Sequence, residues 1–236
     1  MPRELERNEI ENVTGQMLAD LAGGWSAPGL GEYGILEVEA GVSPDRFAQF
    51  GRAEEASMVA VDGGSAVLLD AGSFIVAGVR VGSVAYSGKE PVKGRAPESH
   101  LLYLAAHDIG KAYSIFFRKA VGEEPPDQPR GLEEALGRIR TLLEWKHLEQ
   151  RVSEATVPGT VIALDGALWA GIKGMGPMLD RIVRSAAAKG ILLCGISKKS
   201  MLTHLSKPLI PTIQLAGAEL LRDSTWHYPV MESSMG

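Results

Sequence analysis

A single cysteine, Cys194, is all the thiol chemistry this 236-residue chain carries. One thiol cannot close a disulfide within the chain, and it cannot build a cysteine-ligated zinc site. It lies in the apolar run Gly190-Ile-Leu-Leu-Cys194, where a buried thiol is expected. Long apolar runs are missing too. No stretch reaches the roughly 18 consecutive apolar residues of a spanning helix, so no membrane association is expected. The first ten residues, Met1-Pro-Arg-Glu-Leu-Glu-Arg-Asn-Glu-Ile10, mix both signs of charge and lack a secretory apolar core. A cytoplasmic chain is the expectation. An excess of positive charge is absent as well. With 24 Lys and Arg against 29 Asp and Glu, the net charge is −5, so nothing global draws the chain to nucleic acid. The cations of the last third, Lys173, Arg181, Arg184, Lys189, Lys198, Lys199 and Lys207, read as a solvated face. No GxxxxGK[ST] loop occurs, so energy for moving a substrate has to come from a partner. The histidines, His100, His107, His147, His204 and His227, form no HxH or HxxxH pair. They read as surface or helix-flank residues, with His227 retained as a candidate site neighbour.

What is present is a core-forming α/β chain. Hydrophobic residues make up 45%, enough for a sizeable core at this length. Residues 1–22 read as an N-terminal helix ended by Gly23-Gly24. Residues 24–56 read as loop with a short helix near 44–52. Three strand-like runs follow at 58–61, 66–69 and 74–84, separated by Gly63-Gly64 and Asp70-Ala-Gly72 at hairpin distances. Residues 98–121 and 131–151 read as helices; in the second, Leu132, Leu136, Ile139 and Leu143 keep a 3.6-residue period. A second strand run ends in Asp165. A helix over 176–189, a strand over 191–196 and a further short helix complete the order. With no low-complexity linker, residues 1–236 read as one domain with its core over 55–230.

The recurring element is an apolar β-type run that ends in Asp-Gly. It appears as Val59-Ala-Val-Asp-Gly-Gly-Ser65 and again as Ile162-Ala-Leu-Asp-Gly-Ala-Leu168. Each run is of a length that suits a strand buried on both faces. Each delivers a carboxylate, Asp62 or Asp165, at or near the strand end, where glycine lets the backbone turn. Asp-Gly is a common turn dipeptide, so one instance says little. Two such strands in one sheet bring two carboxylates together, within about 6 Å, as a site for a hard divalent cation.

An antiparallel meander followed by helix, strand, helix and strand resembles the ribonuclease-H-like fold. That is a mixed α/β sheet, antiparallel first and parallel after, flanked by helices. Within that fold the chain resembles the NurA nucleases, partners of the hexameric HerA DNA translocase. The two Asp-Gly words carry the resemblance. So do Arg140-Thr-Leu-Leu-Glu-Trp145, Gly195-Ile-Ser-Lys-Lys-Ser200 and Trp226-His-Tyr-Pro-Val230. The resemblance implies a divalent-metal-dependent DNA nuclease using Mn²⁺ or Mg²⁺. Asp62, Glu144 and Asp165 would be the metal ligands, and Lys198 a candidate phosphate contact. It also implies a homodimer docked on a HerA-like ATPase, for which Ile10, Met17 and Leu21 of the N-terminal helix are candidate contacts. All-oxygen ligands suit Mg²⁺ or Mn²⁺ rather than zinc. The word favours Glu144 as the helical acid, whereas the helical wheel slightly favours Glu149. The resemblance stops near Val230, where the family continues through another strand, so a short form or fragment is expected. Two other readings stay open. A shortened relative could bind a translocase without cutting. Asp62-Gly-Gly-Ser65 could also be the phosphate-binding turn of an actin-like ATPase.

Overall fold

The computed structural model describes residues 36–37, 41–50, 56–92, 96–168, 171–197, 202–205, 207–222 and 224–230. The N-terminal helix expected over 1–22 and the candidate Lys198 lie outside the described residues. The chain divides into a smaller unit, Met1–Ala53 with Lys199–Gly236, and a larger one, Glu54–Lys198.

In the smaller unit β1 (Leu36–Glu37) and β2 (Ala48–Gln49) precede the larger unit in sequence. The larger unit opens with two 14-residue strands, β3 (Ser57–Asp70) and β4 (Phe74–Ser87). They are joined by a tight turn and paired antiparallel along their length. Two edge segments, β5 (Glu90–Val92) and β6 (Glu98–Ala105), both pair with β4. Helices α1 (Ile109–Val121) and α2 (Leu132–Glu154) follow. Then come β7 (Val161–Asp165), α3 (Gly176–Ala188) and β8 (Leu192–Ile196). β7 is parallel to both β3 and β8. An antiparallel meander that turns parallel, with helices against it, is the mixed sheet of the ribonuclease-H-like α/β fold.

Three local expectations change. β3 is one continuous strand through Gly63-Gly64, with no break at Asp62. The reason is β4, whose alternating apolar residues supply a pairing partner on both sides of the glycines. The third strand of the meander is β6, within the segment read as the start of a helix. Leu102 and Leu104 are buried while Leu101 and Tyr103 are exposed, a two-residue period that pairing with β4 fixes. Cys194 is only half-buried, because β8 turns it to the uncovered face of the sheet.

Strand parity sorts the two faces. Val61, Ile75, Ala77, Val79, Val81, Ile162 and Leu164 point to the helices and form the core with Tyr113, Phe117, Ile139, Leu148 and Ile182. Each fully buried aliphatic side chain contributes about 1.5–3 kcal/mol of gross burial. On the other face Leu101, Val84 and Leu192 remain exposed. Two of the local cations are structural. Arg181 donates to the carbonyls of Ala120 and Val121 at the end of α1. Lys189 donates to those of Val152, Ser153 and Ala155 at the end of α2. Both satisfy carbonyls that a helix end leaves without partners.

The smaller unit continues with β9 (Leu202–His204), β10 (Lys207–Pro208), α4 (Leu209–Leu221) and β11 (Trp226–His227). Its core is Leu209 and Ile213 with Phe47, Trp226 and Tyr228 packed on them. A Cβ at Gly217 would clash with the Trp226 ring, so glycine there lets the indole seat on α4. Among the described residues no helix is long and apolar enough to cross a membrane.

Candidate metal and phosphodiester site

The end of β7 makes a notch in the sheet of the larger unit. The parallel register pairs Val61 of β3 with Leu164 of β7. Asp62 and Asp165 therefore follow the last paired residues of two adjacent strands, which run about 4.8 Å apart. Beyond that point the chains part. β7 stops, and Gly166 adopts φ 129°, a backbone region that favours glycine. β3 runs on to Asp70 with β4 on its other edge. Gly63 N–H donates to Asp62 Oδ1 at 2.7 Å, so the Asp62 carboxylate folds back along the edge of its own strand.

The third carboxylate comes from α2. Glu144 lies on the helix side of β3 and is buried, 8% exposed. A Cβ on Gly63 would sit 2.7 Å from both Cγ and Oε1 of Glu144. Gly63 is thus the cradle that lets the helix bring an acid against the strand. Glu149 goes elsewhere: Lys146 at 2.7 Å and Arg181 at 3.3 Å pair with it. The fit of a glycine cradle under Glu144, and of cations around Glu149, is invisible to a helical wheel.

Burial first, and then the charges of Asp62 and Asp165, raise the Glu144 carboxyl to about 7, while Arg140 opposes the shift. A cation near Glu144 would relieve both the burial of its carboxylate and the charges of the two aspartates beside it. Their all-oxygen chemistry fits Mg²⁺ or Mn²⁺. Among the described residues, however, no three acidic, histidine or cysteine side chains converge closely enough to hold one ion. The donor chemistry fits, while the Asp62 carboxylate is engaged by its own strand.

Sequence reading missed Arg140. Its Nε lies 3.7 Å from Glu144 Oε1 and its Nη1 donates to the Gly63 carbonyl at 3.5 Å. The signal was available as an Arg–Glu pair four apart on one helix. His147 corrects the surface reading of the histidines. It is 6% exposed, because the step from Glu144 keeps it on the helix face that meets the sheet. Its Nε2 is 3.2 Å from Ser83 Oγ and its Nδ1 3.7 Å from Glu98. Burial, then the charge of Arg151, holds its pKa below the usual histidine value. His227 belongs to the smaller unit, where its ring lies on Phe50 at 4.8 Å. Asp62-Gly-Gly-Ser65 is extended strand, each residue paired with β4. It is not the phosphate-binding turn that an actin-like ATPase requires.

No family model matches the sequence, and no curated protein matches it. Solved structures similar in chain path include NurA bound to dAMP and manganese, with 14% identity and a TM-score of 0.38. That match covers 70% of this chain and 29% of the other. NurA with manganese gives 13% identity and 0.38, covering 74% and 32%. The NurA nuclease from Sulfolobus solfataricus gives 14% and 0.43, covering 83% and 61%. The chain therefore spans between 29% and 61% of the length of these structures.

Proposed function

We propose that the larger unit is a divalent-metal-dependent nuclease that hydrolyses DNA phosphodiesters. One observation carries the reading. Two aspartates follow the last paired residues of adjacent strands, and a buried glutamate resting on Gly63 lies within electrostatic reach of both. Glu144 is buried with Arg140 3.7 Å from it, and burying a carboxylate costs stability that packing alone does not offset.

Asp62, Glu144 and Asp165 would hold the metal. A bound Mg²⁺ or Mn²⁺ would lower the pKa of water and relieve charge on the phosphoryl oxygens. The chain's own residues do the rest. Glu144, raised to about 7 in the metal-free chain, would give up its proton on binding the cation, because a nearby positive charge favours the carboxylate. Arg140, beside Glu144 and half-exposed, offers a planar donor set to a phosphate once the acids are neutralised. Gly63 keeps Glu144 at the strand. The reading includes Lys198 as a further phosphate contact. It also includes a homodimer that a HerA-like hexameric ATPase feeds with DNA, which would offset the chain's net charge of −5. Co-elution with such an ATPase tests that part.

The test of the chemistry is incubation with labelled linear single- and double-stranded DNA in Mn²⁺, in Mg²⁺ and in EDTA. Cleavage should need the divalent ion, and Asp62→Asn should abolish it. Cleavage that persists in EDTA, or in Asp62→Asn, overturns the reading.

A further inference from the structure

The uncovered face of the sheet holds a depression beside the notch, about 430 Å³ in volume. Register explains its shape. Across the β3–β4 ladder Asp62 faces Gly82, and Gly64 faces Arg80. Residues directly opposite, and residues two apart on one strand, share a face. Asp62 and Arg80 therefore occupy two corners of a four-residue tile, and glycines occupy the other two. Both glycines lie inside long strands, where glycine costs stability and often marks the close approach of a ligand or another backbone. Gly82 has an internal reason: a Cβ there would lie 3.1 Å from Pro97 Cβ. Gly64 has none, since a Cβ there would meet nothing within 4 Å. Its missing side chain leaves room for something outside the chain.

Arg80 supplies the charge. It is exposed on strand β4, and among the described residues no hydrogen bond or ion pair engages its guanidinium. Two residues along a strand span about 7 Å, which is of the order of the step between successive phosphates of a single strand.

We propose that this depression seats the sugar–phosphate backbone of the substrate strand next to the scissile bond, with Arg80 bound to a non-bridging phosphate oxygen. The proposal rests on the nuclease reading for its ligand class and adds the binding track to it. Asp62 lines the depression as well, and its Oδ1 is held by the Gly63 N–H. Arg80 is a substrate-positioning residue, bidentate toward phosphate as guanidinium permits.

Fluorescence anisotropy in EDTA, where the metal is absent, tests it with a short labelled single-stranded oligodeoxynucleotide across a series of salt concentrations. Arg80→Ala should weaken binding several-fold and reduce the salt slope by about 0.7, one single-strand phosphate contact. Arg80→Lys should restore the slope but not the full affinity. Gly64→Val should weaken binding while its melting temperature stays at or above that of the unsubstituted chain, because the valine fills open space on a strand. Unchanged affinity and slope in Arg80→Ala, unchanged binding in Gly64→Val, or no binding by the unsubstituted chain each overturn the proposal. Because metal and cleavage are excluded, binding through Arg80 with no cleavage in Mn²⁺ would sink the nuclease reading and leave the phosphate track standing.

Discussion

Asp62-Gly63 and Asp165-Gly166 are the same dipeptide at the end of similar apolar runs, yet the backbone treats them differently. At Asp165 the strand ends, and Gly166 supplies the φ of 129° that turns the chain away. At Asp62 the ladder to β4 continues, with Asp62 opposite Gly82 and Gly63 opposite Val81. Gly63 is glycine not because it turns but because Glu144 leans on it at 2.7 Å. One glycine answers a dihedral demand, the other a steric one. What separates them is the neighbour. β3 has an antiparallel partner of equal length to hold it straight, whereas β7 has only parallel neighbours, of which β8 ends level with it and β3 is no longer paired to it past Val61.

The sharpest way to break the comparison is to remove each carboxylate in turn. If the two aspartates serve one cation from two backbone settings, Asp62→Asn and Asp165→Asn should each reduce DNA cleavage by orders of magnitude. Losing several kcal/mol of Lewis-acid stabilisation slows a reaction about tenfold per 1.4 kcal/mol. Glu144→Gln should do the same, and Glu149→Gln should leave the rate near that of the unsubstituted chain. Equal loss in both glutamine variants would dissolve the distinction between the two helical acids.

Next in size is a stability effect with a definite sign. Glu144 titrates near 7 in the folded chain against an ordinary 4.5. Between those values the unfolded chain has released its proton and the folded chain keeps it. Stability therefore falls as pH rises from about 4.5 to 7 and changes little beyond, by on the order of 3 kcal/mol from this group. Urea unfolding at pH 5 and pH 8 should show the drop, and Glu144→Gln should remove most of it. Adding Mn²⁺ at pH 8 should recover stability in the unsubstituted chain. A drop that survives Glu144→Gln would assign it to another group.

The words that could be read from the chain were those whose meaning is local. The alternation of β4, the 3.6-residue period of α2 and the parallel run into Asp165 all follow from neighbours in sequence. Two features needed distant partners. Glu98 to Ala105 reads as helix until β4 offers an edge, and then its period of two wins. The cradle under Glu144 joins residues 63 and 144, a contact that no window contains. The choice between Glu144 and Glu149 is decided by what stands opposite each: a glycine on β3 for one, Lys146 and Arg181 for the other. His147 escaped notice for the same reason, since its burial depends on the sheet that its helix meets.

The smallest expected effect isolates the two glycines themselves. Gly166→Ala forces a side chain into a positive-φ backbone and should cost about 1–2 kcal/mol whatever stands nearby. Gly63→Ala has no such backbone penalty, and an alanine should even favour the extended strand. Its cost comes from Cγ and Oε1 of Glu144, both 2.7 Å from the new Cβ. Glu144 is buried, so its side chain cannot swing into solvent without moving α2. The two costs therefore differ in origin, and a double-mutant cycle reads the origin directly. Combining Gly63→Ala with Glu144→Ala should recover most of the stability that Gly63→Ala loses, because the clash has gone. Combining Gly166→Ala with Glu144→Ala should give additive losses, because strain in the backbone does not depend on Glu144. Urea midpoints for the unsubstituted chain, the three single variants and the two pairs supply every number required. If both pairs prove additive, Gly63 is not the seat of Glu144, and the helical acid reaches the notch by some other route.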